Sequence, residues 1–176
     1  MFVLYAIPFG ILVGYILGGR LDRLSGLHLR WVPLMLLGLL VQVAIFTDAG
    51  GRMVGDAGPA IYVASTAVVL IAVLRNLTAP GVALIAVGAG LNLAAIVANG
   101  GRMPADAAAL ASVGGLGSGY SNSIVTIDPA LRPLTDLSAL PSWLPLANVF
   151  SIGDVLIGLG VAATIALAMR ASRASS

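Results

Sequence analysis

The chain has 176 residues, of which 9% are charged: nine Arg and seven Asp, with no Lys, Glu or Cys. Apolar residues make up 59% and the mean hydropathy is +1.05, whereas an ordinary soluble domain is roughly a quarter charged. This composition excludes a soluble globular domain, a disordered chain and a disulfide scaffold, and the lack of cysteine excludes thiol catalysis and Cys-ligated metal sites.

Five uncharged or nearly uncharged stretches follow in order, each long enough to cross a bilayer as a helix of about 20 residues. The first, Phe2–Gly19, closes at Arg20 and has no basic segment before it, so it reads as a retained span and not a cleaved leader. It carries Gly10, Gly14 and Gly18 at four-residue spacing, one face on which another backbone approaches closely, within the chain or in a homodimer. The second, Trp31–Thr47, holds Gln42; the third, Gly58–Leu74, holds Ser65 and Thr66; the fourth, Gly81–Ala98, leads from Asn92 to Asn99 on one helical face. The fifth, Ile152–Met169, has Asp154 near its start and Arg170 at its end.

Between the fourth and fifth spans, residues 100–150 are too long for a bare loop and are expected to form a cap. Asp106 caps a short helix, Ala107–Val113, ended by Gly114 and Gly115. Leu116–Asn122 is rich in Gly and Ser, and the glycines from Gly114 to Gly119 follow no strand and open no helix, so they form no nucleotide loop. Leu134–Val149, with Trp143 between Pro141 and Pro145, reads as an interfacial segment with an aromatic anchor. With the N-terminus outside, six Arg (20, 23, 30, 75, 170 and 173) lie inside and three (52, 102 and 132) outside, the direction the positive-inside rule favours. Gly50-Gly51-Arg52-Met53 with Asp56 matches Gly100-Gly101-Arg102-Met103 with Asp106, which suggests a parallel repeat of two helix pairs.

Polar groups within spans are costly and are the first functional candidates. The threading puts Asn92, Asn99, Arg102 and Asp154 toward the outer end, where they form the candidate ligand-binding cluster. Ser151-Ile152-Gly153-Asp154 also fits a capping box, with Phe150 and Val155 as its hydrophobic staple, and that explains Asp154 without any chemistry. Catalysis would need a second carboxylate to share a proton with Asp154, and the candidates are Asp106 and Asp136. His28, the single histidine, has only Asp22 near it in sequence, so no metal site is expected. Arg20, Arg23 and Arg30 suit anionic headgroups, and Tyr5 and Tyr15 suit packing at an interface. No cofactor motif and no nucleic-acid signature is present.

Two motifs carry a resemblance. Asn92-Leu93-x-x-Ile96-x-Ala98-Asn99-Gly100-Gly101-x-Met103-Pro104, together with Val149–Leu156 and with Gly18-Gly19-Arg20 and Gln42, resembles a family of uncharacterised bacterial multi-pass membrane proteins, a domain of unknown function. That resemblance spans nearly the whole chain; it implies a helical membrane architecture in a bacterial plasma membrane and brings no assigned activity. Phe150-Ser151-Ile152-Gly153-Asp154 also resembles the F-N-x-A-D motif of lipoprotein signal peptidases, in which the Asp is one of two catalytic aspartates at the outer face. Here Ser151 replaces the Asn and Gly153 the Ala. The partner motif, N-L-x-D-R, falls on Asn92-Leu93-Ala94-Ala95-Ile96, which lacks both Asp and Arg.

The expectation is therefore an all-α integral membrane protein with five transmembrane helices, N-terminus outside, C-terminus cytoplasmic, and an extracytoplasmic cap. Its expected role is non-enzymatic: binding a lipid, a small solute or a partner protein at the outer-face polar cluster, in transport or assembly. An aspartyl membrane hydrolase using Asp154 is the alternative.

Overall fold

A computed structural model describes residues 2–114 and 123–171; the Gly/Ser-rich segment 116–122 and Arg173 lie outside the described residues. Seven α-helices are described: α1 (Ala6–Ile16), α2 (Val32–Ile45), α3 (Asp48–Val54), α4 (Gly58–Leu74), α5 (Val82–Ala98), α6 (Ala107–Ser112) and α7 (Ile152–Arg170). The long helices pack in the order α1, α7, α5, α4, α2, with α7 between α1 and α5.

Contacts along each pair fix the directions. Gly10 faces Ala162 and Gly14 faces Met169, so α1 runs parallel to α7. Gly81 faces Gly160 and Gly88 faces Gly153, so α5 runs antiparallel to α7. Val73 clusters with Val82, and Tyr62 with Ile96, so α4 opposes α5. Gly38 lies against Val69 while Ile45 reaches Tyr62, so α2 opposes α4. Successive long helices therefore alternate up and down.

Glycine makes the α5–α7 and α1–α7 contacts possible. A Cβ on Gly160 would stand 2.8 Å from the Gly81 carbonyl oxygen, and one on Gly10 would stand 2.8 Å from the Ala162 Cα. Backbones at that separation gain dispersion contacts that any larger residue would block. Of the two packing uses open to the Gly10–Gly14–Gly18 face, the first two glycines serve the intramolecular one. Gly18 has a φ of +77° and turns the chain out of α1, with no atom within 4 Å of its missing Cβ.

Two helical runs, Asp48–Leu74 (27 residues) and Ile152–Arg170 (19 residues), are long and apolar enough to cross a membrane. Phe2–Ile16, Val32–Ile45 and Val82–Ala98 are apolar but shorter. The third run begins ten residues before the expected Gly58, because Thr47 caps α3 by accepting from the Gly50 amide at 3.0 Å and a single 3-10 turn, Gly55–Ala57, joins α3 to α4.

The ends of the bundle differ in charge. Arg20, Arg23, Arg30, Arg75 and Arg170 gather at one end with Asp22; Arg52, Arg102 and Arg132 lie at the other with the remaining six Asp. At the Arg-rich end the Arg20 amide donates to the Met169 carbonyl at 2.9 Å and Arg23 donates to the Arg170 carbonyl at 3.3 Å.

The cap is not purely helical, which corrects the all-α expectation to a mostly helical fold. β1 (Met103–Ala105) pairs in parallel with β2 (Ser123–Val125), and β3 (Ser138–Ala139) pairs antiparallel with β4 (Val149–Phe150). The Leu134–Val149 segment is thus folded back on itself by β3 and β4, with Trp143 79% exposed at its tip. Phe150 stacks on Phe2 with ring centroids 4.6 Å apart, and the Tyr5 hydroxyl donates to the Pro145 carbonyl, so the cap is tied to the start of α1. The two Gly-Gly-Arg-Met copies do not form the same structure. The first is part of α3, with Met53 87% exposed; the second is a turn leading into β1, with Met103 3% exposed. Gly100 and Gly101 have φ of +70° and +81°, a turn that glycine permits and that the helical first copy does not use.

Candidate functional site

The polar residues of the candidate site meet where the last turns of α5 face the first turn of α7. Close packing of Gly88 on Gly153 sets that register, and it brings Asn92 directly over the α7 N-terminus. Asn92 Nδ2 donates to Asp154 Oδ1 at 2.9 Å, and Ser151 Oγ donates to Asn92 Oδ1 at 2.8 Å. The capping box is complete: Asp154 N–H donates to Ser151 Oγ at 3.0 Å, and Ser151 N–H donates to Asp154 Oδ2 at 3.1 Å. Each Asp154 oxygen therefore has one donor, while the helix dipole favours its charge. Gly153 must be glycine here, because any Cβ would collide with Asn92 Oδ1.

A second carboxyl comes from the cap. Asp136 N–H donates to the Pro104 carbonyl at 2.9 Å, and Asp106 N–H donates to the Asp136 carbonyl at 2.9 Å, so Asp136 is stitched alongside β1 on the edge away from β2. That placement buries the residue to 5% exposure. Its carboxyl takes a hydrogen bond from Ser123, and among the described residues its buried Oδ1 has no hydrogen-bond partner. Burial first, and then the negative charge of Asp154, push the Asp136 carboxyl from 3.8 up to about 7, with the Ser123 bond pulling the other way. The Asp136 carboxyl of the cap thus lies within the field of the Asp154 carboxylate at the start of α7.

The other expected residues have separate positions. Asn99 donates to the carbonyls of Ala95 and Ala130 and accepts from the Ala130 amide, each at 2.8–2.9 Å, so it pins the 130 turn to the end of α5. Arg102 lies half-buried on the turn before β1. Asp106 accepts from the Ala108 and Ala109 amides at 3.0 Å as the α6 cap, and so its carboxylate is committed. Gln42 donates to Thr66 at 3.4 Å, Ser65 and Thr66 bond back to the Tyr62 carbonyl, and His28 Nδ1 contacts the Gly26 carbonyl. No cluster of three or more metal-ligating side chains exists among the described residues.

Sequence reasoning missed Asn76. It is 4% exposed, accepts from the Arg30 amide at 2.6 Å and donates to the carbonyls of Arg30 and Ala72, closing the turn before α2 onto the end of α4. The one signal for it was a polar residue just past an apolar run.

A family model of unknown function, DUF5317, matches residues 26–166, about four-fifths of the chain. The chain belongs to that family. The matched segment contains Asn92, Asp136, Ser151 and Asp154. Comparisons with curated proteins and with solved structures find no match.

Proposed function

We propose that this chain is an integral membrane protein of five crossings that binds, at the outer end of α5 and α7, a lipid headgroup bearing an ammonium group. The observation that carries the reading is the buried Oδ1 of Asp136, which among the described residues lacks a donor and lies within the field of Asp154. A buried acceptor without a partner costs about 1–3 kcal/mol, more when charged. A ligand that brings both a positive charge and N–H donors removes that cost and offsets the repulsion from Asp154.

Several features support the membrane assignment. The long helices alternate in direction, and their outer faces carry exposed Leu12, Ile16, Leu36, Leu40, Val43 and Ile71, with Ile16 at 73% and Leu40 at 64%. A soluble monomer rarely exposes apolar surface on that scale. Grouping of Arg at one end favours that end as cytoplasmic, with the acidic cap outside a bacterial plasma membrane. The site then lies level with the outer headgroups, which favours a lipid over a bulk solute.

The test is native mass spectrometry of protein released from nanodiscs holding equal phosphatidylethanolamine and phosphatidylcholine. Both headgroups are zwitterionic with one positive nitrogen, and only the first has N–H donors. Wild type should retain phosphatidylethanolamine preferentially, and Asp154→Asn and Asp136→Asn should lose the preference. Equal retention of both lipids by wild type would refute the reading.

A second reading, an aspartyl membrane hydrolase, is favoured by one observation: the buried Asp136 carboxyl, 5% exposed and within the field of Asp154, which burial pushes up to about 7. One carboxylate could take a proton from water while the other, protonated, donates to the scissile carbonyl. Turnover of a membrane-bound peptide that is lost in both Asp→Asn variants would establish it.

A further inference from the structure

At the end of the bundle away from the cap, the arginines fall into two groups. Arg20, Arg23 and Arg170 belong to the ends of α1 and α7. There Arg20 Nε holds Asp22 Oδ1 at 3.1 Å, and the Arg23 guanidinium donates to the Arg170 carbonyl at 3.3 Å. Arg30 and Arg75 stand at the opposite edge of the helix row, where α2 begins and α4 ends. Buried Asn76 closes this joint: it accepts from the Arg30 amide at 2.6 Å and donates to the Arg30 carbonyl at 2.9 Å, and its own chain neighbour is Arg75. Trp31 follows Arg30 in left-handed backbone, φ +61°, and its ring centroid lies 6.0 Å from the Arg75 guanidinium carbon, the outer limit of a cation–π contact. The joint therefore fixes where both side chains start, and the indole orients one of them. No acidic residue occurs between Asp22 and Asp48 or between Asp56 and Asp106, so α2, α4 and α5 bring no carboxylate to this edge. Among the described residues, neither guanidinium has an ion pair or a hydrogen bond to protein.

We infer that Arg30 and Arg75, held by Asn76 and flanked by Trp31, form a binding site for the phosphate of an anionic phospholipid. A guanidinium presents parallel N–H donors that match phosphate oxygens in pairs. Two of them favour a headgroup of net negative charge over a zwitterion, whose own cation they would repel. The surroundings point to a lipid as the source of the phosphate. Trp31, Leu74 and Leu77 lie 46–49% exposed around the two arginines. A free ion leaves that apolar surface in water, whereas glycerol and acyl chains cover it. Tryptophan beside arginine at the end of an apolar helix suits the headgroup level of a bilayer. Sequence position alone offers Arg20, Arg23 and Arg30 equally to headgroups. Their bonds in the fold engage Arg20 and Arg23 and leave Arg30, joined by Arg75, open to a lipid. The site rests on the membrane reading proposed above and not on ammonium binding at the other end.

The test is native mass spectrometry of the full chain released from nanodiscs holding equal phosphatidylglycerol and phosphatidylcholine. Wild type should retain phosphatidylglycerol preferentially. Arg30→Gln and Arg75→Gln should each reduce that preference about fivefold, the worth of one arginine at an anionic surface. Arg20→Gln removes the same charge from the other edge and should leave the preference nearly unchanged, as should Asp136→Asn in the cap. Equal retention of both lipids by wild type would overturn the site. So would an equal fall in Arg20→Gln, which would show an effect of net charge alone. If inorganic phosphate displaces the retained lipid and chloride at the same ionic strength does not, the pair binds the free ion and the lipid assignment is overturned. A chain that does not enter nanodiscs would refute the membrane reading and this site with it. A chain that enters and shows no preference refutes this site alone.

Discussion

Replacing Asp136 with Asn should make the protein more stable at alkaline pH and remove the loss of stability that this carboxyl causes as pH rises. The carboxyl sits at about 7 in the folded chain against 3.8 as the ordinary value. Between those two pH values the folded state binds more protons than the unfolded state, so stability falls as pH rises. The penalty is absent below about pH 4, grows through the interval and levels off above about pH 7. A gap of roughly three units at 1.36 kcal/mol each amounts to about 4 kcal/mol. Local opening of the cap would lower that figure. The asparagine keeps the shape, can still bond Ser123 and cannot ionise. Thermal unfolding followed by circular dichroism in a neutral detergent, at pH 4.5 and pH 8, measures the effect. From pH 4.5 to pH 8 about 3 kcal/mol of that penalty develops, so the melting-temperature difference between variant and wild type should move in the variant's favour by roughly 6–12 °C between the two pH values, at 2–4 °C per kcal/mol for a chain of this size. Parallel curves for the two proteins would show that Asp136 ionises normally, and the electrostatic reasoning would fail.

Gly153→Ala should cost about 1–3 kcal/mol by overpacking and detach Asn92 from Asp154, whereas Gly90→Ala, with open space at its Cβ position, should be neutral in the same melts. Asn76→Ala leaves the Arg30 amide and two carbonyls without their partner, and a loss of about 2–3 kcal/mol is expected. The absence of native cysteine allows single-cysteine topology mapping: Ser142→Cys in the cap should react with an impermeant maleimide on intact cells, and Ser25→Cys at the Arg-rich end should react only after lysis. The opposite pattern would invert the orientation.

Much of the helical framework was legible because long apolar runs need no partner to declare themselves. The Ser151–Asp154 box and the Asp106 cap were legible for a related reason: capping is local, and spacing of three residues suffices to read it. The link from Asn92 to Asp154 followed once both were assigned to the same end of the bundle. Asp136 was legible only as one of two candidate carboxylate partners for Asp154, and its burial was not legible at all. It lies in a short Thr-Asp-Leu segment, and its burial arises only when that segment pairs with β1, some 30 residues upstream. The cap strands span two or three residues each, too few for an alternating pattern to emerge. The Gly-Gly-Arg-Met repeat misled for a physical reason. Glycine accepts both helical and left-handed backbone, so identical tetrapeptides adopt whichever conformation their surroundings impose.

The pairing of Asp136 with Asp154 can be measured directly by a carboxyl-carbon NMR titration of aspartate-labelled protein in detergent micelles. One carboxyl resonance should titrate near pH 7, vanish in Asp136→Asn and shift to lower pH in Asp154→Asn. If every aspartate instead titrates near its ordinary value of about 4, Asp136 is not held in a buried site within the field of Asp154, and the binding and hydrolytic readings both lose their foundation.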